Sequence, residues 1–186
     1  MGQDKALMPF LSETLIERLI RHLTPLKVET LITTNQPEKY QFLGLPLIPD
    51  RQPGSGALAG LFTALEAART PLVAVVACDM PFISSRLLDA QGIILTDQDW
   101  DAVVPRHHSG CEPFHAVYRR QACLPAIRGA LAAGHRRVDS WFGEARMRWL
   151  TQDEIAPYDP DGLCFVNLNT LDEFRQAEIL AAKRMN

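Results

Sequence analysis

The stretch Leu72-Val73-Ala74-Val75-Val76-Ala77-Cys78-Asp79-Met80-Pro81 decides the fold class of this chain. Its first six residues are apolar without interruption, a pattern typical of a strand buried on both faces of a parallel sheet. Pro81 then ends the strand, because proline has no N–H group to donate to a sheet. Asp79 is therefore expected just beyond the carboxyl end of a buried strand, where ligands bind in open α/β sheets.

Helical and extended patterns alternate on both sides of this strand. Before it, the sequence predicts a helix from Ser12 to Leu23 with Ser12 as its cap, strands at 28–34 and 45–48, a short helix end at 40–42 and a helix over 58–69. After it, the sequence predicts helices at 84–91, 122–133 and 137–142, strands at 101–105, 114–118 and 146–150, an extended segment at 165–170 and a closing helix from Asp172. The alternation predicts an α/β fold with a mostly parallel sheet and helices on both faces.

Composition excludes several classes of protein. The 186 residues are 47% hydrophobic, which is enough for a single domain over 1–186 with a substantial core. The formal net charge is −3 and there is no basic block, so we expect no nucleic-acid partner. The longest apolar run is far shorter than the roughly 20 residues of a membrane span, and the N-terminus has no signal core. A cytoplasmic protein without membrane contact is expected.

The four cysteines, Cys78, Cys111, Cys123 and Cys164, are spread along the chain without a C-x-x-C pair. No pair of histidines has the H-E-x-x-H spacing either. The sequence therefore predicts buried, reduced thiols in place of a zinc site or a disulfide framework.

Two carboxylates follow predicted strands, Asp50 after the strand at 45–48 and Asp79 after the strand at 72–77. An acidic residue in this place is a natural Mg²⁺ ligand, because Mg²⁺ needs only one or two carboxylates and takes its other ligands from water and phosphates. The alternative for each residue is a structural role as a turn or cap aspartate.

The segment Gly54-Ser55-Gly56-Ala57-Leu58-Ala59 formally matches the G-x-G-x-x-G/A pattern of dinucleotide-binding folds. In those folds the first glycine follows the strand directly, whereas Pro53 and three further residues intervene here. A loop around a nucleotide base or sugar and a plain loop-to-helix junction are both open alternatives. The pairs Arg119-Arg120 and Arg136-Arg137 suit phosphate recognition, or else are solvated helix ends.

Six motifs in one order carry a resemblance to a known family. They are Met1-Gly2-x-Asp4-Lys5-Ala6-Leu7, Ile48-Pro49-Asp50 with Pro53-Gly54-x-Gly56-x-Leu58-Ala59-Gly60, Ala77-Cys78-Asp79-Met80-Pro81-Phe82, Glu112-Pro113-x-His115-Ala116-x-Tyr118, Ala133-Gly134-x-Arg136-Arg137-Val138 and Val166-Asn167-x-Asn169-Thr170. Over nearly its whole length the chain resembles the molybdenum cofactor guanylyltransferases, of the MobA-like NTP transferase family. The Glu-Pro-x-His and Asn-x-Asn-Thr motifs favour the guanylyl over the cytidylyl branch.

The resemblance implies a Rossmann-like nucleotidyltransferase fold and Mg²⁺-dependent transfer of GMP from GTP to molybdopterin or its molybdenum form. The implied catalytic residues are Lys5, on the GTP phosphates, and Asp79, which would hold the Mg²⁺. The nucleotide would also contact Thr33, Asp50, Gly54, Gly56 and Leu58, and the pterin phosphate would contact His115, Arg136, Arg137, Asn167 and Asn169. The attacking phosphate oxygen is already ionised at pH 7, so this chemistry needs positioning and charge neutralisation more than a general base. The protein partners that the resemblance implies are molybdopterin-loading proteins or recipient molybdoenzymes.

The family pattern also contains an apolar strand and a Gly-rich Leu-Ala-Gly-Gly-x-Ser-x-Arg loop before Met-Gly-x-Asp-Lys, whereas this sequence begins at Met1-Gly2. We therefore expect weak GTP binding by these 186 residues, since such a loop gives backbone N–H groups to phosphates. Three alternative functions stay open at this point. They are a cytidylyl or sugar-nucleotidyl transferase, a non-catalytic molybdopterin-binding paralogue, and an NAD-binding module.

Overall fold

The structure, a computed structural model, describes residues 4–52, 54 and 56–184. Met1, Gly2 and Pro53, which belong to the sequence motifs, lie outside the described residues. The α-helices are α1 (Leu15–Leu23), α2 (Ala57–Ala67), α3 (Ser85–Asp97), α4 (Arg120–Ala132), α5 (Gln152–Ile155) and α6 (Leu171–Lys183). The strands are β1 (Pro9–Phe10), β2 (Glu13–Thr14), β3 (Ile32–Thr33), β4 (Leu47–Ile48), β5 (Leu72–Val76), β6 (Ala102–His107), β7 (Gly110–Cys111), β8 (His115–Arg119) and β9 (Met147–Leu150).

The main sheet has five strands and is mixed, where the sequence predicted a mostly parallel one. Strand β8 lies between β5 and β6 and runs antiparallel to both, while β9 pairs parallel with the other side of β6. The reason is the short connection between β6 and β8, residues 108–114, because a parallel pair needs a crossover of about a dozen residues or more. Two small ladders lie apart from this sheet, an antiparallel β1–β2 pair and a parallel β3–β4 pair.

Helices cover both faces of the sheet, as predicted, and the α/β class is confirmed. On one face, Ala102, Val104 and Tyr118 pack against Leu61 of α2 and Ile127 of α4. On the other face, residues of β6 and β8 pack against α3, with Val103, Val117, Leu87 and Leu88 in one cluster. The alternation of neighbouring residues between two cores follows from the two-residue period of a strand.

Strand β5 was predicted to be buried on both faces, and this prediction is wrong. Of its five residues only Val75 is buried, and Ala74 is exposed. Within the described residues β5 has a strand partner on one side only, β8, in a register that pairs Leu72 with Arg119 and Val76 with His115. An apolar run of this kind does not distinguish a central strand from a strand at the edge of a sheet.

The N-terminal boundary of α1 also differs from the prediction. Thr14 is the cap in place of Ser12: its Oγ1 accepts from the Glu17 N–H at 3.4 Å, and Glu17 Oε2 accepts from the Thr14 N–H at 2.8 Å. This is a capping box. Ser12 lies instead in the turn between β1 and β2, which Leu11 makes possible with a φ of 57°.

Three other segments are less regular than their patterns predicted. The strand at 28–34 is reduced to Ile32–Thr33, and residues 137–142 form turns followed by a 3-10 helix at Phe142–Glu144. The segment 165–170 has no sheet pairing in the described part of the chain. No helix among the described residues is both long enough and apolar enough to cross a membrane.

Candidate active site

Lys5 lies in a 3-10 turn, Lys5–Leu7, that two contacts hold in place. The Tyr40 hydroxyl donates to Asp4 Oδ2 at 2.8 Å, and Ala6 is buried against Ile16 and Tyr40. Burial and, to a smaller extent, the hydrogen bond to the Asp4 carboxylate raise the pKa of Tyr40 above its usual range. The hydroxyl is therefore protonated and remains a donor at neutral pH, so the turn is anchored immediately before Lys5.

Asp79 follows β5 in a loop that two distant segments hold. Its carbonyl accepts from the Leu168 N–H at 3.0 Å. Two residues later, the Pro81 carbonyl accepts from Arg18 Nε at 2.9 Å. Arg18 is itself buried, and its guanidinium lies 5.0 Å from the centre of the Phe10 ring. These contacts fix the backbone at Asp79 and just after it, and the Asp79 side chain is 25% exposed.

Asn169 immediately precedes the cap of α6. Glu173 Oε2 accepts from the N–H groups of Asn169 at 2.7 Å and of Thr170 at 2.8 Å, and Thr170 Oγ1 accepts from the Glu173 N–H. The two N–H groups lower the pKa of Glu173, so its carboxylate stays charged and keeps this arrangement over the working pH range. Asn169 is thus held at a defined position at the start of a helix.

The three segments meet at Lys5. Its Nζ donates to Asn169 Oδ1 at 2.9 Å, across 164 positions of sequence, and lies 3.9 Å from Asp79 Oδ2. The Lys5 side chain is 30% exposed, so a ligand can reach the ammonium. The structure brings together the two residues predicted to be catalytic and one predicted to face the pterin. An ammonium and a carboxylate side by side, both accessible, suit a phosphate with its divalent cation.

The glycine loop meets the Arg136 segment through the backbone. Gly56 precedes α2 with a φ of +77°, and a Cβ on it would lie 3.1 Å from the Arg136 carbonyl oxygen. That carbonyl also accepts from the Leu58 N–H at 3.3 Å. Residues predicted for the nucleotide and a residue predicted for the pterin therefore lie against each other. The Arg136 side chain is exposed at this junction.

Asp50 has a structural role in a turn beside α2. Its Oδ1 accepts from the Gln52 N–H at 3.0 Å and from Thr63 Oγ1 at 3.1 Å, and Thr63 is fully buried. The Arg51 N–H donates to the same Thr63 hydroxyl. The sequence left a turn and a ligand-binding role open for Asp50. The structure shows the contacts of the turn and leaves the residue only half buried, so the turn does not exclude a contact with a ligand.

Two residues predicted to contact ligands lie in the core instead. The Leu58 side chain is fully buried in the cluster with Leu61 and Trp141, since it is on the inner face of the first turn of α2. His115 is also 0% exposed: Nε2 accepts from the Ser84 N–H at 3.1 Å, and the ring lies edge-on to Phe165. Burial lowers the pKa of His115 to about 4. A neutral, enclosed imidazole does not fit the predicted contact with a pterin phosphate.

The remaining predicted residues lie at the surface or half buried. Arg137 pairs with Asp139 through two hydrogen bonds, of 3.0 and 2.7 Å, and its side chain is 84% exposed. Asn167 Nδ2 donates to the Phe165 carbonyl at 3.1 Å. Thr33 is exposed on β3. The structure shows no contact that joins these three to Lys5.

Sequence reasoning missed three residues that build the site, namely Glu173, Tyr40 and Arg18. Glu173 had a local signal, because Thr170-x-x-Glu173 before an apolar run is a capping-box pattern. Tyr40 and Arg18 had none, since their partners Asp4 and Pro81 are 36 and 63 positions away.

Comparison with known proteins places these features in a family. The family model for the MobA-like NTP transferase domain matches residues 1–148. A probable molybdenum cofactor guanylyltransferase of Pelotomaculum thermopropionicum is 32% identical over 181 residues, which cover 97% of this chain and 87% of the relative. Another, of Chloroflexus aggregans, is 34% identical over 186 residues, with 94% and 85% coverage.

Solved structures share the fold. Molybdopterin-guanine dinucleotide biosynthesis protein A from Archaeoglobus fulgidus superposes with a TM-score of 0.84 at 24% identity, over 98% of this chain and 92% of that one. The 2-C-methyl-D-erythritol 4-phosphate cytidylyltransferase from Thermus thermophilus superposes with a TM-score of 0.68 at 19% identity, over 96% and 94%. The predicted nucleotidyltransferase fold is confirmed.

Proposed function

This chain belongs to the MobA-like NTP transferase family, and we propose that it transfers GMP from GTP to the phosphate of molybdopterin or its molybdenum form. The observation that carries the proposal is the meeting of Lys5, Asp79 and Asn169, in which one ammonium contacts an amide oxygen at 2.9 Å and a carboxylate oxygen at 3.9 Å. The relatives above 30% identity carry names that specify this reaction.

In this reaction an oxygen of the pterin phosphate forms a bond to the α-phosphorus of GTP. The bond from that phosphorus to the bridging oxygen breaks, and pyrophosphate leaves with the electron pair. The nucleophile is ionised at neutral pH, so the site must chiefly align two anionic reactants and neutralise their charge. Lys5 would lie along the GTP phosphates, and Asn169 would orient Lys5 through its side-chain oxygen.

The Asp79 carboxylate fits a Mg²⁺ ion. Among the described residues, no group of three or more His, Cys, Asp or Glu side chains could hold a metal ion without other ligands. Mg²⁺ does not need such a group in phosphate-transfer sites, because one or two carboxylates hold it there and phosphate and water oxygens complete its shell. Among the described residues, no donor forms a hydrogen bond within 3.5 Å to the Asp79 carboxylate, and Lys5 Nζ is 3.9 Å from its Oδ2. Bound there, Mg²⁺ would neutralise charge on the transferring phosphate.

In this proposal the other predicted residues, apart from Leu58 and His115, would form a second side of the site. The loop with Gly54 and Gly56, together with Thr33 and Asp50, would contact the guanosine. The exposed side chains of Arg136 and Arg137 and the amide of Asn167 would contact the pterin phosphate. The backbone contact between Gly56 and Arg136 supports this arrangement, because the two substrates must meet for a direct transfer.

The test is a transfer assay with Mg²⁺, molybdopterin and GTP, CTP or UTP in separate reactions. We expect the guanine dinucleotide from GTP, and a fall of about 100-fold or more in turnover for Asp79→Asn, because a neutral amide is a poor Mg²⁺ ligand. Asp89→Asn is the matched control, since Asp89 is an exposed carboxylate on α3. Turnover of Asp79→Asn within about tenfold of wild type would remove Asp79 from the reaction. Product from CTP alone, or pterin binding without transfer, would overturn the guanylyl assignment.

A further inference from the structure

A cavity of about 430 Å³ lies between α1, the start of α3, the segment 158–160 and the end of α6. Four arginines line it, Arg18 and Arg21 from α1, Arg86 from α3 and Arg184 from the end of α6. We refer to it as the arginine cavity. Lys5, Asp79 and Asn169 are not among its lining residues, so it is separate from the proposed active site.

The charges around the arginine cavity do not balance. Glu13 accepts two hydrogen bonds from Arg21, of 3.2 and 2.6 Å, and lies 3.6 Å from Arg18. Arg184 pairs with Asp161. Arg86 lies over the Tyr158 ring and has no ion pair among the described residues. The carboxylate in the lining, Asp159, accepts from the N–H groups of Leu163 and Cys164, both at 3.0 Å. Among the described residues, four guanidinium groups therefore lie with three carboxylates in or beside the cavity, so positive charges exceed negative charges by one.

Uncharged donors point to the same ligand chemistry. Ser84 caps α3, a helix of 13 residues, and the N–H groups of Ser85 and Arg86 in its first turn have no acceptor in the described residues. Helix N-termini stabilise anions because their N–H groups are unpaired and the helix dipole is positive there. His22 also lines the cavity, and its buried Nε2 has no hydrogen-bond partner in the described part of the chain.

We propose that the arginine cavity binds an anion of the phosphate class. Guanidinium groups suit this ligand because each presents N–H groups in a planar fork that matches two phosphate oxygens. The volume is in the range of small-molecule sites, so a diphosphate or a phosphate ester both fit. The source is either free inorganic pyrophosphate, which the proposed reaction releases, or the phosphate of a nucleotide.

The test is calorimetric titration with inorganic pyrophosphate in the absence of Mg²⁺, on a chain that carries Lys5→Met. That substitution removes the ammonium that would bind the same anion in the active site. We expect half-saturation below about 1 mM. Arg86→Gln and Arg184→Gln should each weaken binding by about tenfold or more, because each removes a charge-assisted donor. Arg175→Gln should change nothing: Arg175 is an exposed arginine on α6 outside the cavity.

A second readout locates the ligand within the chain. The ring resonances of His22, assigned with His22→Gln, should shift on saturation with pyrophosphate, and those of the exposed His135 should not. Parallel titrations with inorganic phosphate and with GMP separate the two sources. Binding of GMP identifies a phosphate ester site, and binding of pyrophosphate without GMP identifies a site for the free anion.

The proposal is wrong if none of pyrophosphate, inorganic phosphate and GMP binds to the Lys5→Met chain. It is equally wrong if binding is unchanged in Arg86→Gln and Arg184→Gln, or falls as much in Arg175→Gln. These outcomes do not depend on transfer activity, so the proposed function and the anion site can fail separately. Melting temperatures of the variants show whether they remain folded.

Discussion

The Lys5 site and the junction between Gly56 and Arg136 are built in different ways. At Lys5, three side chains from distant segments meet, and the contacts are an amide-to-ammonium hydrogen bond and an ion pair. At Gly56 the contact is between backbones: the Arg136 carbonyl accepts from the Leu58 N–H, and a Cβ on Gly56 would be in tight contact with the Arg136 oxygen, at 3.1 Å. The first site depends on the chemistry of side chains, whereas the second depends on the absence of one.

This difference predicts which substitutions each region tolerates. A change that keeps shape and removes charge or hydrogen-bonding capacity should damage the Lys5 site and leave the fold intact. A change that adds a methyl group should damage the junction through strain. His115, which the sequence assigned to the pterin side, belongs to neither region, because the structure encloses it in the core.

The largest expected effect concerns His115 and the stability of the fold at acid pH. Its pKa is lowered to about 4 by burial, from an ordinary value near 6.5, so the unfolded chain binds one more proton between these two values. Stability should therefore fall as the pH drops from about 6.5 to about 4, by roughly 3 kcal/mol for this group, and the loss should level off below that.

Urea unfolding of wild type and His115→Gln between pH 7 and pH 4 measures this effect. The variant lacks the titrating ring, so its free energy of unfolding should depend less steeply on pH than that of wild type. Equal slopes for the two chains would show that folding does not lower the pKa of His115, which contradicts its enclosure in the core. His115 would then be available to a substrate phosphate after all.

Asn169→Ala tests the side-chain site directly. The substitution removes the acceptor that holds Lys5 Nζ at 2.9 Å. We expect kcat/KM for GTP to fall by an amount equivalent to about 2 kcal/mol of transition-state stabilisation, since a hydrogen bond to a charged group contributes about this much. The melting temperature should hardly change, because Asn169 is exposed.

Asn167→Ala is the control for Asn169→Ala, because the Asn167 side chain donates to the nearby Phe165 carbonyl and to no other acceptor among the described residues. We expect it to raise the KM for molybdopterin and to leave GTP unaffected. If Asn169→Ala, like Asn167→Ala, changes the KM for molybdopterin and leaves the kinetics with GTP unchanged, Lys5 does not depend on Asn169 for its position on the nucleotide.

Gly56→Ala tests the backbone junction. The glycine has a φ of +77°, and a Cβ would lie 3.1 Å from the Arg136 oxygen and 3.4 Å from the Arg136 Cβ. We expect a loss of about 1–2 kcal/mol in the free energy of unfolding, because alanine is strained at positive φ and the carbonyl must also move. Gly60→Ala, within α2 and with open space around it, should instead stabilise the chain by about 0.5–1 kcal/mol. A destabilised Gly60→Ala beside an unaffected Gly56→Ala would contradict the close approach.

The two regions also differ in how far the sequence could predict them. Asp79 lies beyond the end of β5 as predicted, because a strand followed by an acidic residue and proline has a local pattern, while its metal-binding role stays a prediction. The meeting of Lys5 with Asn169 was not predicted, since no local pattern encodes a contact across 164 positions. The mixed sheet was missed for a different reason: the short connection between β6 and β8 is visible in the sequence and indicates an antiparallel pair, but it was not weighed against the alternation of helices and strands. Leu58 and His115 were assigned by motif alone, and motifs carry no information about burial.

Tyr40→Phe has the smallest expected effect and separates positioning from chemistry at the Lys5 site. The hydroxyl donates to Asp4 Oδ2 at 2.8 Å and touches neither proposed substrate, so its loss acts only through the turn that carries Lys5. We expect a decrease of about 1 kcal/mol in the free energy of unfolding, because the half-buried Asp4 carboxylate loses a donor. The KM for GTP should rise by a few fold while kcat is retained, since the ammonium remains present and is only less well ordered. Tyr158→Phe is the matched control, as a tyrosine that lines the arginine cavity and lies outside this turn. Steady-state kinetics with GTP as the varied substrate give both constants, and a loss confined to kcat would mean that Tyr40 acts on the transferring group itself.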